Sequence, residues 1–144
     1  MRLQSILCAV DFSQTSREAL RAAADLARAH DSRLTVLFVD DPMLVAAAKA
    51  AHDVRGSVSS TEVALNRFIA RSLRPLPPEV RAMVTSGTPV DEILRAARRQ
   101  QADLIVIGMR GVGRVARMLL GSTTDRVLRR ARIPVLAVPT GVTS

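Results

Sequence analysis

Five short apolar runs recur along the chain, and amphipathic stretches separate them. The runs are SILCAV at 5–10, RLTVLFV at 33–39, EVRAMVTS at 79–86, DLIVIG at 103–108 and IPVLAVP at 133–139. Continuous apolar runs of this length are typical of strands buried on both faces of a parallel sheet. The third run alternates more between apolar and polar residues, so we place it nearer an edge of the sheet.

Apolar residues at helical spacing predict four helices, over 16–30, 61–73, a stretch beginning at 89, and 122–131. Thr15 and Glu18 have the spacing of a capping box, and Thr88 precedes Pro89 as a predicted N-cap. Strands that alternate with helices indicate βαβ units. We therefore predict an α/β fold: a single three-layer, doubly wound domain over 1–144, with a parallel sheet and helices on both faces.

Composition and charge narrow the class of protein. Hydrophobic residues make up 48% of the 144 residues, which is enough for a buried core. The formal charge is +8, and Lys49 is the only lysine, so arginine dominates. Arginine suits phosphate, but these arginines are spread over several segments, as on solvated helix faces. Without Trp or Tyr and with three Phe, base stacking on single strands is disfavoured, so we expect no specific nucleic-acid partner.

The solitary Cys8 excludes an intrachain disulfide and fits a reducing cytoplasm, so a cytoplasmic protein is expected. The apolar runs are far shorter than the roughly 20 residues of a membrane span, and no membrane association is expected. His30 and His52 have no adjacent ligand set and are interpreted as surface or helix-end histidines. Asp40 and Asp41 precede Pro42 and are interpreted as turn formers.

The residues that could bind a ligand lie at the predicted carboxyl ends of the strands, where open parallel sheets bind ligands. Asp11 follows the first strand, and residues 39–41 close the second. After the fourth comes the stretch GMRGVGRVARMLLGST, whose spacing is Gly-x2-Gly-x9-Gly-Ser. It lacks the lysine of a Walker loop, and no glycine-rich fingerprint follows the first strand.

The two ends of this glycine stretch suggest different roles. Gly108 would let a ligand approach the strand end, and Gly111 would permit a turn. Gly121, Ser122 and Thr123 lie at a predicted helix N-terminus, whose amide groups attract phosphate. The same residues fit an ordinary strand-to-helix loop, and spacing alone leaves the two interpretations open.

Three segments of the chain resemble the universal stress protein family. They are ILCAVDFSQTSREAL, SGTPVDEILRAA and ADLIVIGMRGVGRVARMLLGSTTDRVLRRARIPVLAVP, which stand in the family's order and cover essentially the whole chain. The Gly-x2-Gly-x9-Gly-Ser/Thr pattern resembles that of the family's ATP-binding branch. The resemblance implies the strand order 3-2-1-4-5, with ATP bound between strands one and four.

The resemblance also implies a set of site residues. Ala9, Val10 and Asp11 would lie against the adenosine and Val39 against the adenine; Gly108 and Gly111 would border the ribose and phosphates; Gly121, Ser122 and Thr123 would hold the phosphates. Arg110, Arg114 and Arg117 lie inside the glycine stretch, where one of them could reach the outer phosphates, and Arg110 is the candidate. Mg2+ would be held mainly by the phosphates, with Asp11 the nearest protein oxygen. A homodimer through the fifth strand is implied, with Val135, Leu136, Ala137 and Val138 as the candidate interface.

The function implied is that of a small cytoplasmic ATP-binding regulatory protein. Asp11 has no accompanying nucleophile with an orienting partner, so binding is favoured over catalysis, with at most weak ATP hydrolysis. Two alternatives stay open: a nucleotide-independent stress adaptor, and a slow ATP hydrolase or adenylyl-transfer enzyme.

Overall fold

The computed structural model describes residues 2–43, 58–109, 120–139 and 141. Five parallel strands form one sheet in the order β3-β2-β1-β4-β5. The strands are β1 (Ser5–Val10), β2 (Arg33–Asp40), β3 (Val80–Ser86), β4 (Leu104–Gly108) and β5 (Val135–Val138). This confirms the predicted fold class and strand order, and β3 lies at an edge, as its alternating pattern predicted.

Four helices cover the sheet on both faces: α1 (Gln14–His30), α2 (Val58–Ser72), α3 (Pro89–Arg99) and α4 (Ser122–Arg130). Successive residues of β1 point to opposite faces, as strand geometry requires. Cys8 packs with α1 and α2, whereas Leu7 packs with α3 and α4. Burial raises the pKa of the Cys8 thiol, so the sulfur behaves as a small apolar group. Within the described ranges, no helix combines the length and apolar character needed to cross a membrane.

The chain changes direction beside β1. From β1 the sheet grows through β2 to β3 on one side, and the chain then returns to add β4 and β5 on the other. Ala9 consequently pairs with Leu37 of β2 and with Ile107 of β4. Connections that leave in opposite directions open a crevice at the carboxyl ends of such strands, so the fold predicts a ligand site between β1 and β4.

The helix starts differ in detail from the sequence prediction. The capping box at Thr15 and Glu18 is wrong, because α1 begins at Gln14 and Ser13 is its N-cap. Ser13 has the extended backbone that a cap needs, and its hydroxyl accepts from the Ser16 amide at 3.1 Å. Glu18 instead accepts from the Gly141 amide at 3.1 Å. Thr88 occupies the N-cap position of α3, as predicted, but its side chain makes no cap hydrogen bond.

Candidate functional site

A cavity of about 450 Å3 opens at the carboxyl ends of β1, β2 and β4. The first turns of α1, α3 and α4 close its sides. Its volume lies in the range of small-molecule sites, roughly 300–1,000 Å3. The cavity occupies the crevice that the reversal of strand order creates.

Most of the predicted site residues meet in this cavity. Its lining includes Ala9, Val10, Asp11, Val39, Gly108, Gly121, Ser122 and Thr123. The remaining two, Arg110 and Gly111, lie outside the described residues. The fold thus brings together segments more than 100 residues apart in the chain, and their part in ligand binding stays a prediction.

A tight turn after β1 places Asp11 at the cavity. The Asp11 carboxylate accepts from the Ser13 amide at 3.0 Å, and the Asp11 amide donates to the Ser16 hydroxyl at 3.3 Å. Between them, Phe12 has a φ of +66°, a left-handed conformation that is uncommon for a bulky residue. This turn fixes the backbone around Asp11 and leaves the residue exposed at the cavity.

Aromatic contacts hold the turn in place. The Phe12 ring stacks on Phe38 with centroids 4.5 Å apart and meets Phe68 edge-on at 5.4 Å. The guanidinium of Arg17 lies 5.3 Å from the Phe68 ring centroid. The chain's three phenylalanines therefore form one cluster on the α1–α2 side of the cavity, and Phe38 also lines the cavity. Nothing in the spacing of the three phenylalanines along the sequence indicates that they meet.

The N-terminus of α4 faces the cavity without a side-chain cap. Gly121 is the N-cap residue, and the Asp125 amide is bonded to the Gly121 carbonyl at 2.9 Å. The amides of residues 122–124 precede that first helical bond. Uncapped amides at the positive end of a helix dipole attract anions. The Thr124 hydroxyl donates to the Gly108 carbonyl at 3.0 Å and so anchors this helix end to β4.

Gly108 has a packing role that the sequence did not reveal. A Cβ there would lie 2.8 Å from Cγ2 of Thr15 and 2.9 Å from the Thr15 carbonyl oxygen. Real Cβ atoms essentially never come so close, so glycine allows α1 to approach the end of β4. Gly108 also lines the cavity, and its carbonyl is the acceptor for Thr124.

Several lining residues were absent from the sequence-based site. Pro89 and Ile93 of α3 add apolar groups to the lining, together with Leu37 and Ile107 of the sheet. The pattern placed Pro89 and Ile93 on a helix but could not show where that helix begins over the sheet. Asp41 also lines the cavity and accepts from the Met43 amide at 2.9 Å, as a turn former does.

Titratable side chains do not cluster tightly in the part of the chain that the structure describes. No group of three or more His, Cys, Asp or Glu residues there is arranged to hold a metal ion. Among the described residues, Asp11, Asp40 and Asp41 are the carboxylates that line the cavity. The described lining is thus an apolar crevice with a few acidic and hydroxyl groups, bordered by the first turns of three helices, of which α4 presents Ser122 and Thr123 without a side-chain cap.

The sequence pattern of the Universal stress protein family matches residues 2–139. The chain belongs to this family. A curated relative, the universal stress protein in the QAH/OAS sulfhydrylase 3' region of Thermus aquaticus, is 32% identical over 143 residues, covering 94% of this chain and 98% of the relative. The family assignment made from the three sequence segments is therefore confirmed.

Solved universal stress proteins share the fold. UspA from Lactobacillus plantarum superposes with a TM-score of 0.75 at 26% identity, covering 96% of this chain and 99% of the other. A universal stress protein in complex with cAMP superposes with a TM-score of 0.71 at 25% identity, covering 96% of this chain and 98% of the other. One structural relative of this universal stress protein thus binds an adenine nucleotide.

Proposed function

We propose that this universal stress protein is a small cytoplasmic regulatory protein that binds ATP in the cavity between β1 and β4. The observation that carries the proposal is the make-up of the cavity, which joins an apolar crevice to an uncapped helix N-terminus. An adenine nucleotide needs both: apolar walls for the base, and amide donors for the phosphates. The solved relative in complex with cAMP supports the choice of an adenine nucleotide.

The adenosine would lie against the ends of β1 and β2. Ala9, Val10 and Val39 line this side of the cavity, together with Ile93 of α3. Asp11 lines the cavity at the end of β1 and is exposed there. An ionised carboxylate accepts hydrogen bonds, so Asp11 would accept from a ribose hydroxyl.

The phosphates would lie against the N-terminus of α4. Gly121, Ser122 and Thr123 line the cavity there, and their amides and hydroxyls would donate to phosphate oxygens. Gly111 would border the ribose and phosphates, and Arg110 would extend the site toward the outer phosphates. Mg2+ would enter with the nucleotide and take Asp11 as its nearest protein oxygen, since this ion is commonly held by phosphates and one or two carboxylates.

Calorimetric titration with ATP in the presence of Mg2+ tests the proposal. We expect saturable binding in the micromolar to low-millimolar range. Gly121→Leu should abolish it, because the new side chain would fill the phosphate end of the cavity. The N-cap backbone, with φ −60° and ψ 154°, accepts any residue, so the fold should survive. Ala64→Leu, at an exposed position of α2, is the matched control and should bind normally.

Two outcomes would overturn the assignment. Absence of binding to the wild-type protein with Mg2+ present would remove ATP as the ligand. Unchanged affinity in Gly121→Leu would remove α4 as the phosphate site. A parallel titration with cAMP tests the choice of nucleotide, because tighter binding of cAMP than of ATP would replace ATP as the ligand.

A further inference from the structure

Helices α3 and α4 carry arginines in the same spacing. Arg95, Arg98 and Arg99 stand at positions i, i+3 and i+4 of α3, and Arg126, Arg129 and Arg130 repeat this spacing in α4. Residues three and four apart share one side of a helix. Arg132 follows just after α4, and all seven side chains are exposed. We call these seven residues the arginine face.

The two helices form one continuous surface. Both pack on the same side of the sheet, where Val90 and Ile93 of α3 share a core cluster with Val127 of α4. The guanidinium of Arg130 reaches the Asp91 carboxylate of α3 at 2.9 Å. Arg130 of α4 therefore lies beside the first turn of α3, and the two sets of arginines stand on neighbouring helices of one face.

Positive charge exceeds negative charge on this surface. Its three carboxylates are already paired: Asp91 with Arg130, Glu92 with Arg95, and Asp125 with Arg129. Within the described part of the chain, Arg98, Arg99, Arg126 and Arg132 have no ion-pair partner. Complementing the helix dipole accounts for the arginines in the last turns, but Arg95 and Arg126 stand mid-helix.

The side chains of the arginine face favour a duplex phosphate backbone over single-stranded nucleic acid or a lipid bilayer. Guanidinium groups form paired hydrogen bonds with phosphate oxygens. The three phenylalanines cluster on the opposite, α1–α2 side, so this surface offers no ring on which single-strand bases could stack. Within α3 and α4, both fully described, Leu128 is the only exposed large apolar side chain, which leaves little to insert into a bilayer.

We propose that the arginine face docks on the phosphate backbone of duplex nucleic acid without reading its sequence. Arg95 and Arg99 are one turn apart, about 6 Å along the helix. Phosphates of one strand recur about every 3.4 Å along a duplex, so each helix spans about two of them. Backbone contacts of this kind position a protein on the duplex but carry no sequence information.

Fluorescence anisotropy with a short labelled duplex, measured over a range of salt concentrations, tests this proposal. The test variant carries Arg98→Gln, Arg99→Gln and Arg126→Gln, which remove three positive charges from the arginine face. The matched control carries Arg67→Gln, Arg71→Gln and Arg74→Gln. These three arginines are exposed and lie in α2 or just after it. Both triple variants lose the same net charge. Circular dichroism on both confirms that the fold is intact.

We expect wild-type protein to bind two duplexes of unrelated sequence equally. The test variant should bind at least about tenfold more weakly at low salt. The slope of the logarithm of the binding constant against the logarithm of salt concentration should become shallower by about two to three, because each lost phosphate contact accounts for about 0.9. The control should change much less. Equal weakening in both variants would overturn the proposal, because net charge alone would then explain binding.

Two further results would also overturn it. One is the absence of duplex binding by the wild-type protein at low salt. The other is binding to vesicles rich in anionic lipid without binding to duplex, which would make the arginine face a membrane-contact surface. ATP titration of the same samples keeps this proposal separate from the nucleotide site, since none of the seven arginines lines the cavity.

Discussion

Gly108 shows how a single missing side chain can position two helices. The absent Cβ allows the first turn of α1 to lie against the end of β4, and the glycine carbonyl accepts from Thr124 in the first turn of α4. Close packing leaves no slack for an added atom at such a point. The packing of α1 against the carboxyl end of β4, where the cavity opens, therefore requires the small size of glycine at position 108.

We predict that Gly108→Ala destabilises the fold by about 1–3 kcal/mol, the usual cost of overpacking. Denaturant unfolding should show an earlier midpoint. Adding Thr15→Ser would remove the nearest contact, at 2.8 Å, but not the contact with the Thr15 carbonyl at 2.9 Å. The double variant should therefore recover only part of the loss. An unchanged midpoint for Gly108→Ala would contradict the packing role.

Phe12 gives a second prediction at the residue scale, since its φ of +66° disfavours branched side chains. Phe12→Val retains more apolar surface than Phe12→Gly, yet we expect it to be the less stable variant. The left-handed conformation costs a residue other than glycine about 1–2 kcal/mol. Thermal unfolding of the two variants tests the order. Greater stability of Phe12→Val would show that apolar contact, and not backbone conformation, governs this turn.

At the scale of elements, the sequence pattern predicted the strands and helices, because the burial of each depends on its own apolar residues. Runs such as SILCAV revealed β1 because a strand buried on both faces needs unbroken apolar sequence. The cap of α1 was misplaced from Ser13 to Thr15, because both are good cap residues and the Asp11–Phe12 turn decides between them. Pro89 and Ile93 were assigned to a helix, but their place in the cavity depends on packing that no local pattern encodes.

The start of α4 allows helix stability and ligand binding to be separated. We predict that Gly121→Ser stabilises the ligand-free protein by a few tenths of a kcal/mol, because serine is the better N-cap. The same hydroxyl would accept from an amide that we assign to phosphate, so ATP affinity should fall. Tm without nucleotide and Kd for ATP test the two effects.

Gly121→Ala is the control for that prediction. Alanine is a poor cap, so Tm should fall, and it has no acceptor to compete with phosphate. ATP affinity should therefore be lower in the serine variant than in the alanine variant. Tighter binding by Gly121→Ser than by Gly121→Ala would mean that the α4 amides are not the phosphate donors.

At the scale of the molecule, the two edges of the sheet differ. Edge strands expose unpaired backbone groups, and charged side chains discourage association there. β3 carries the exposed Arg81, whereas β5 is the uncharged sequence VLAV with Leu136 38% exposed. This asymmetry favours β5 over β3 as the site of the homodimer that the family resemblance implies, and we propose that residues 135–138 form its interface.

We predict that Leu136→Lys converts such a dimer to monomers, because a lysine would be desolvated in the interface. Ala82→Lys places the same charge at an exposed position of β3 and should leave the dimer intact. Sedimentation velocity distinguishes the two, and unfolding curves confirm that both variants fold. A dimer that persists in Leu136→Lys but dissociates in Ala82→Lys would move the interface to β3. A monomeric wild-type protein would contradict the dimer. It would not bear on the nucleotide site, because that site lies within one chain and is tested by the ATP titration.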